Sequence, residues 1–320
     1  MSATPGPDTD DAPPAPVNVY TEPAFLRLVA DVYHAGRGCR VRDFAVDGGV
    51  YRLLEVEGVP QTTQRFIDLH ESLGPPPLRR PALPRLARLE GVAGRAMQLE
   101  RFQQQAGWDA LEGAPTVQWD GFRSWSDYLA QIQARRMTAE DLRRGRRLQE
   151  RFPDLEFAAD DPRADVLPTA FEWKTGRDLA LAREPVFADA RNVRFFEALR
   201  ERGLLRASTL RGGGRLLALW LGAVHDGRWS GWIFAFNPDP ALARYSLGQQ
   251  LLYRMLEHSH GEGHREFDFS IGMEPYKLKF ATHVRPIGMA GRPSPAQRAG
   301  TAMRRWLVRH PRLHETARAL

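Results

Sequence analysis

The stretch Leu216–Val224 reads LLALWLGAV and has no polar side chain on either face. A strand of that composition must be covered on both sides, so it belongs at the centre of a sheet packed between two layers. Its neighbours narrow the topology. Leu204–Leu210 reads as a strand before it, with Arg211–Arg215 (RGGGR) as the turn, and Trp229–Phe236 reads as a strand after Asp226-Gly227, a hairpin dipeptide. Alternation puts Trp232, Phe234 and Phe236 on one face of that third strand. An amphipathic helix, Asp189–Gly203, precedes the three strands and stops at its glycine. Asn237-Pro238-Asp239-Pro240 breaks the third strand. Ser246–His260 then follows helical spacing, with Leu247, Leu251, Leu252, Met255 and Leu256 on one stripe. Gly261 and Gly263 end it, and Glu266–Ile271 alternates Phe267, Phe269 and Ile271 with Asp268 and Ser270. The order helix, strand, strand, strand, helix, strand is that of an α/β (α+β) fold.

The rest of the chain is less regular. Residues 1–17 are rich in Pro, Asp, Ala and Thr and read as a disordered tail. Glu22–His34 has helical spacing. Val41–Val46 and Val50–Val56 flank Asp47-Gly48-Gly49 as a hairpin, and the prolines at 75–84 demand extended or loop structure. Trp125–Phe152 reads as a long helical region, either one helix or two that meet near Met137–Thr138. It bears Arg135, Arg136, Arg143, Arg144, Arg146 and Arg147 beside a buried stripe of Trp125, Tyr128, Leu129, Ile132, Leu142, Leu148 and Phe152. Phe157–Pro168 reads as a connection. Beyond Pro286 the chain turns polar and then forms a basic amphipathic helix near Thr301–Leu320.

Charge adds one local clue. There are 45 Lys+Arg against 39 Asp+Glu, and the pI is about 9.8. Such a balance raises nucleic acid as a partner. Yet only Lys174, Lys277 and Lys279 are lysines, so a genome-wide arginine preference explains the excess, and the Lys277/Lys279 pair stands out. The single cysteine, Cys39, excludes an intrachain disulfide. No apolar run is long enough to span a membrane, and the acidic N-terminus is unlike a signal peptide. A cytoplasmic protein is the simplest expectation.

Several motifs have a bland reading beside the chemical one. RGGGR lacks the Gly-Lys-Ser/Thr ending of a phosphate loop and precedes a strand, so it is read as a hairpin turn. His258, His260 and His264 (HSHGEGH) have spacings that can bind metal, but they sit where a helix ends, and no metal site is expected. Arg244-Tyr245-Ser246-Leu247-Gly248-Gln249-Gln250-Leu251 opens a helix after a strand. It is either an ordinary start capped by Ser246 or an anion site, with free N–H groups and Arg244 facing phosphate. Asp268-Phe269-Ser270-Ile271-Gly272-Met273-Glu274-Pro275-Tyr276-Lys277 places acids, a tyrosine and a rare lysine near a strand end, where ligands commonly sit. The alternative is a buried Asp bonded to loop N–H groups, with exposed lysines.

Element order and these last two motifs together resemble the GNAT acyltransferase superfamily. More narrowly, the chain is similar to the cellulose-biosynthesis-associated (CelD-like) branch, related to Fem-type aminoacyl transferases. That branch runs Ser-Pro-Gly into a helix and later Asp-Phe-x-x-Gly-x-Glu-x-Tyr-Lys. Here stand Ser246-Leu247-Gly248 and Asp268 through Lys277. The resemblance covers residues 165–290 and extends back to Phe122. It implies a GNAT fold, a mixed central sheet flanked by helices, with two GNAT-like halves in tandem. The implied organisation is a tail (1–17), a degenerate half (18–121), a basic helical connection (122–164), an acyltransferase half (165–290) and a C-terminal helix (291–320). The implied co-substrate is acetyl-CoA or another acyl-CoA. Its pyrophosphate would lie near Arg244, Ser246, Leu247, Gly248, Gln249, Gln250 and Leu251. Asp268 or Glu274 would act as base or orient an amine, Tyr276 would protonate the leaving thiolate, and Lys277 would meet a phosphate or developing charge.

Three functions follow from the resemblance. The first is acyl-CoA-dependent N-acyl transfer to a small-molecule or polysaccharide-linked amine, within cell-envelope or secondary-metabolite chemistry. The second is a Fem-like transferase using charged tRNA, held by the arginines at 135–147. The third is a GNAT-shaped binding protein without catalysis. It is favoured by Tyr245 and Gln250, which stand where the common pattern has Gln/Arg and a small residue.

Overall fold

The computed structural model describes residues 18–46, 49–62, 66–67, 69–73, 87–90, 96–104, 112–135, 139–290, 299–300 and 302–303. The expected tail at 1–17, the turn at Asp47-Gly48, the prolines at 75–84 and nearly all of the helix expected at 301–320 lie outside them.

The chain begins with α1 (Pro23–Tyr33) and the strands β1 (Cys39–Val46), β2 (Gly49–Val56) and β3 (Val59–Pro60). Then come β4 (Ala87–Glu90), β5 (Met97–Gln98), α2 (Leu99–Gln104), β6 (Glu112–Gln118), α3 (Trp125–Arg135), α4 (Ala139–Arg151) and β7 (Glu156–Ala158). The second half runs α5 (Val166–Ala180), α6 (Ala190–Glu201), β8 (Arg206–Gly212), β9 (Arg215–His225), β10 (Arg228–Phe236), α7 (Leu247–Gly261), β11 (Glu266–Asp268), α8 (Pro275–Phe280) and β12 (His283–Ala290).

Strands β1, β2 and β3 form a small sheet. The large mixed sheet has nine strands among the described residues, in the order β4-β12-β6-β11-β10-β9-β8-β7, with β5 paired to β12. Every pairing in it is antiparallel except β10 with β11. The apolar run that becomes β9 is buried from Leu216 to Ala223, as its composition requires. The RGGGR turn narrows to Gly213-Gly214. Both have positive φ (61° and 70°), which closes a two-residue hairpin.

Helices cover both faces. On one, α1, α5 and α6 bury Phe25, Leu28, Ala170, Phe195 and Phe196 against Leu219, Leu221, Ile233 and Ala235 of the sheet. On the other, α3, α4 and α7 bury Tyr128, Ile132, Leu148, Leu251 and Met255 against Leu217, Trp220 and Phe267. Each fully buried Leu or Phe contributes about 2 kcal/mol. Among the described residues no helix is long and apolar enough to cross a membrane.

Three expectations need correction. Trp232, Phe234 and Phe236 do not share a face. A bulge between Gly231 and Ile233 inserts one residue, so Trp232 turns to Tyr20, Phe25 and Phe196 while Phe234 packs on Trp220. Leu142 is 47% exposed, outside the buried stripe of the basic region. The supposed connection at 157–168 contains the end of β7, which pairs with β8.

Candidate active site

Strands β10 and β11 pair over Arg228–Glu266, Trp229–Phe267 and Ser230–Asp268. β10 then continues to Phe236, whereas β11 stops at Asp268. The stop is local chemistry. Asp268 Oδ1 accepts the Ser270 N–H at 2.8 Å, Ser270 takes φ +60°, and the chain bends toward β6, where Phe269 N–H reaches Pro115 O and Gly272 N–H reaches Gly113 O. The two parallel strands therefore part. A cleft of about 550 Å³ lies at the open end, lined by the end of β10, the first turn of α7, Arg177 and Tyr276.

The start of α7 is built unusually. Pro240–Tyr245 forms a 3-10 helix, and Ser246 breaks from it in the left-handed region (φ 52°, ψ 51°). Its side chain does not cap α7. Instead Ser246 Oγ accepts from Arg144 Nη1 of α4 at 2.8 Å. The Ser246 carbonyl takes the N–H groups of Gln249 and Gln250. Those of Leu247 and Gly248 have no acceptor among the described residues. Gly248 permits a close approach, since a Cβ there would lie 2.1 Å from Phe234 Cζ.

Of the residues expected at the donor, Ser246, Leu247, Gly248 and Gln249 line the cleft. Gln249 Oε1 accepts from Lys279 Nζ at 2.9 Å. Arg244, Gln250 and Leu251 are absent from the lining. Arg244 is exposed and lies over the Tyr245 ring. Gln250 is buried, its Nε2 donating to the Asp141 carbonyl of α4 at 3.2 Å, and Leu251 is wholly in the core. Tyr245 is also buried, so both departures from the family pattern pack the interior.

The proposed catalytic residues separate in the same way. Tyr276 lines the cleft and stacks on Phe234, with centroids 6.3 Å apart. Burial, helped by the Glu274 charge, pushes its phenol up to about 12. Glu274 is half exposed and pairs with Lys277 Nζ at 3.0 Å. Lys277 is 5% exposed and donates to the Ile271 carbonyl at 2.7 Å. Asp268 is 3% exposed, its Oδ2 held by Arg285 at 3.2 Å, and Arg285 also pairs with Glu266. Asp268, Glu274 and Lys277 are all absent from the cleft lining.

The cleft includes residues that the motifs do not mark. Arg177 of α5 lies with its guanidinium 5.5 Å from the ring centroid of Phe236, which is 41% exposed. Nothing in the sequence separates Arg177 from the other arginines. His258 and His264 pack edge-on to Trp229, and His260 edge-on to Trp119. Among the described residues, no group of His, Cys, Asp and Glu is disposed to hold a metal ion.

Residues 135–278 match the family model of the acetyltransferase (GNAT) domain. No curated protein matches the sequence. Among solved structures, FemX is 9% identical with a TM-score of 0.50, over 88% of this chain and 92% of its own, a likeness of fold. A conserved protein of unknown function from Bacteroides thetaiotaomicron is 11% identical with a TM-score of 0.48, over 87% and 93%. A GCN5-related N-acetyltransferase from Sphaerobacter thermophilus is 13% identical with a TM-score of 0.34, over 65% and 61%.

Proposed function

We propose that the chain is a cytoplasmic acyl-CoA-dependent N-acyltransferase of the cellulose-biosynthesis-associated branch. It would move an acetyl or other acyl group to an amine on a small molecule or a polysaccharide. The observation that carries this reading is the parting of β10 from β11 beside the first turn of α7. The gap offers an elongated donor an apolar wall of Phe234 and Leu252. At one end the N–H groups of Leu247 and Gly248 suit phosphate oxygens.

In this reading the acceptor amine attacks the thioester carbonyl carbon, the C–S bond breaks, and the thiolate takes a proton. Tyr276, neutral at pH 7, supplies that proton. Glu274, an exposed carboxylate whose charge acts on the Tyr276 phenol, takes the proton released from the ammonium. Asp268 and Lys277 act by position. One fixes the turn that parts the strands, and the other ties Ile271 to Glu274. The cleft holds donor and acceptor together, which supplies much of the rate.

Thiol release from acetyl-CoA across a panel of amines and amino sugars tests the proposal, alongside calorimetry with CoA. Turnover with any amine supports it. Failure to bind CoA overturns it. The aminoacyl-tRNA reading has one observation of its own, the exposed Arg146, Arg147 and Arg151 on α4, the helix that touches Ser246 through Arg144. Retention of charged tRNA that falls steeply with salt, without CoA binding, would favour it.

A further inference from the structure

Arg177 approaches the cleft from the opposite layer to α7. The helix that carries it, α5, packs Val166, Leu167 and Ala170 on the face covered by α1 and α6. From its last turn, Arg177 reaches Phe236 at the end of β10, where pairing with β11 has ceased. The cleft has two charged residues in its lining, Arg177 and Asp239. Asp239 is committed: its Oδ1 accepts the Ala241 N–H at 2.9 Å, and its Oδ2 lies 3.8 Å from Arg215. Arg177 forms no ion pair among the described residues, unlike Arg144, Arg163, Arg191 and Arg211. A guanidinium laid on an aromatic ring keeps its planar donor edge free for the oxygens of an anion. Beside an apolar wall, its field is screened less than in open water.

We propose that Arg177 recognises an oxyanion group of the bound substrate. The apolar part of that substrate would lie along Phe234, Phe236 and Tyr276. The group is a phosphate of the donor or a carboxylate on the transferred acyl group; both present the same pair of oxygens to the guanidinium. The identity of the donor rests on the acyl-CoA reading, but the anion preference of the cleft does not.

Calorimetry on the wild type, Arg177→Ala and Arg177→Lys decides it. The probes are CoA, pantetheine, acetyl-CoA, succinyl-CoA, phenyl phosphate and phenol. If a donor phosphate is the anion, Arg177→Ala weakens CoA by about 10-fold or more and leaves pantetheine unchanged. If the acyl carboxylate is the anion, acetyl-CoA is unaffected and succinyl-CoA weakens by about that factor. Arg177→Lys falls between, because it keeps the charge and loses the fork. Equal affinity of wild type and Arg177→Ala for every anionic probe overturns the proposal, as does an equal loss for pantetheine and CoA. Should the wild type bind no CoA compound, the acyl-CoA reading falls and phenyl phosphate decides alone. Saturable binding that is weaker in Arg177→Ala, with phenol unaffected, supports Arg177. No binding, or binding that the substitution leaves unchanged, overturns it. Arg177 is exposed, so an unaltered denaturation midpoint in both variants excludes misfolding as the cause.

Discussion

Tyr276 and Gly248 meet at one ring, that of Phe234. Tyr276 stacks on it from the side of α8, and Gly248 admits it against α7. Tyr276→Phe keeps the stacking and removes the proton donor. We expect kcat for acyl transfer to fall about 100-fold or more, with KM and thermal midpoint nearly unchanged; a variant with wild-type kcat would exclude Tyr276 as the acid. Gly248→Ala does the reverse. Its Cβ would meet Phe234 Cζ at 2.1 Å, so the ring must move. The expected cost is about 1–3 kcal/mol in denaturant unfolding, together with weaker CoA binding. Both residues were legible in the sequence because they sit in contiguous motifs. Arg177 was not, since it reaches the cleft through tertiary packing from a helix with no motif. For Asp268 the sequence leaves two readings, a polar strand face or a buried carboxylate bonded to loop N–H groups. The side chain is buried and accepts the Ser270 N–H, as the second has it, while its bond to Arg285 is beyond the reach of any local pattern.

At the scale of elements, the segment between β7 and α5 shows what local reading misses. It looked like a polar connection, yet Asp161 is fully buried there. Its Oδ2 accepts from Thr209 Oγ1 and from Arg211 Nε, each at 2.8 Å, and its Oδ1 from the Arg163 N–H at 3.0 Å. Burial by itself would raise this carboxyl; the Arg211 guanidinium, with the Arg163 amide and the Thr209 hydroxyl, outweighs burial and pulls it down to about 2. Because the folded value lies below the unfolded one, the contribution is complete above pH 3.8 and is lost as pH falls toward about 2. Asp161→Asn leaves the half-satisfied Arg211 in place. We expect it to lower stability by about 3 kcal/mol at pH 7, with the gap from wild type closing as pH drops through that window. Urea titrations at pH 7, 4 and 2.5 measure it; a gap independent of pH would assign the loss to packing. The bulge in β10 has the same lesson. Strand, turns and central position followed from composition, but one inserted residue reversed the face of Trp232, and no local pattern announces a bulge.

The whole molecule is tied together by its sheet. Strand β6 lies between β11 and β12 and pairs with both, so a strand from before residue 121 completes the sheet of the later half. The N-terminal part also supplies Glu71, whose carboxylate holds the buried Arg228 guanidinium at 2.9 Å, and Tyr20 and Phe25, which pack on Trp232. A chain of residues 122–290 retains every motif residue of the proposed site. It nevertheless leaves β11 and β12 without the strand between them, two open edges, and Arg228 without one of its carboxylates. An open edge invites pairing with other chains, and a buried guanidinium deprived of a partner costs about 3 kcal/mol or more. We therefore expect residues 122–290 to aggregate or to lack a cooperative unfolding transition by circular dichroism, and the full chain to unfold in one step. Addition of residues 18–121 should restore a cooperative transition, because that piece carries β6 and Glu71. A 122–290 chain that unfolds cooperatively and binds CoA by itself would show that the later half is an autonomous unit and that β6 merely covers it. The resemblance suggested two halves in tandem; their interdependence comes from a strand pairing across more than 140 residues of sequence, between Thr116 and Asp268, which periodicity within either half cannot reveal.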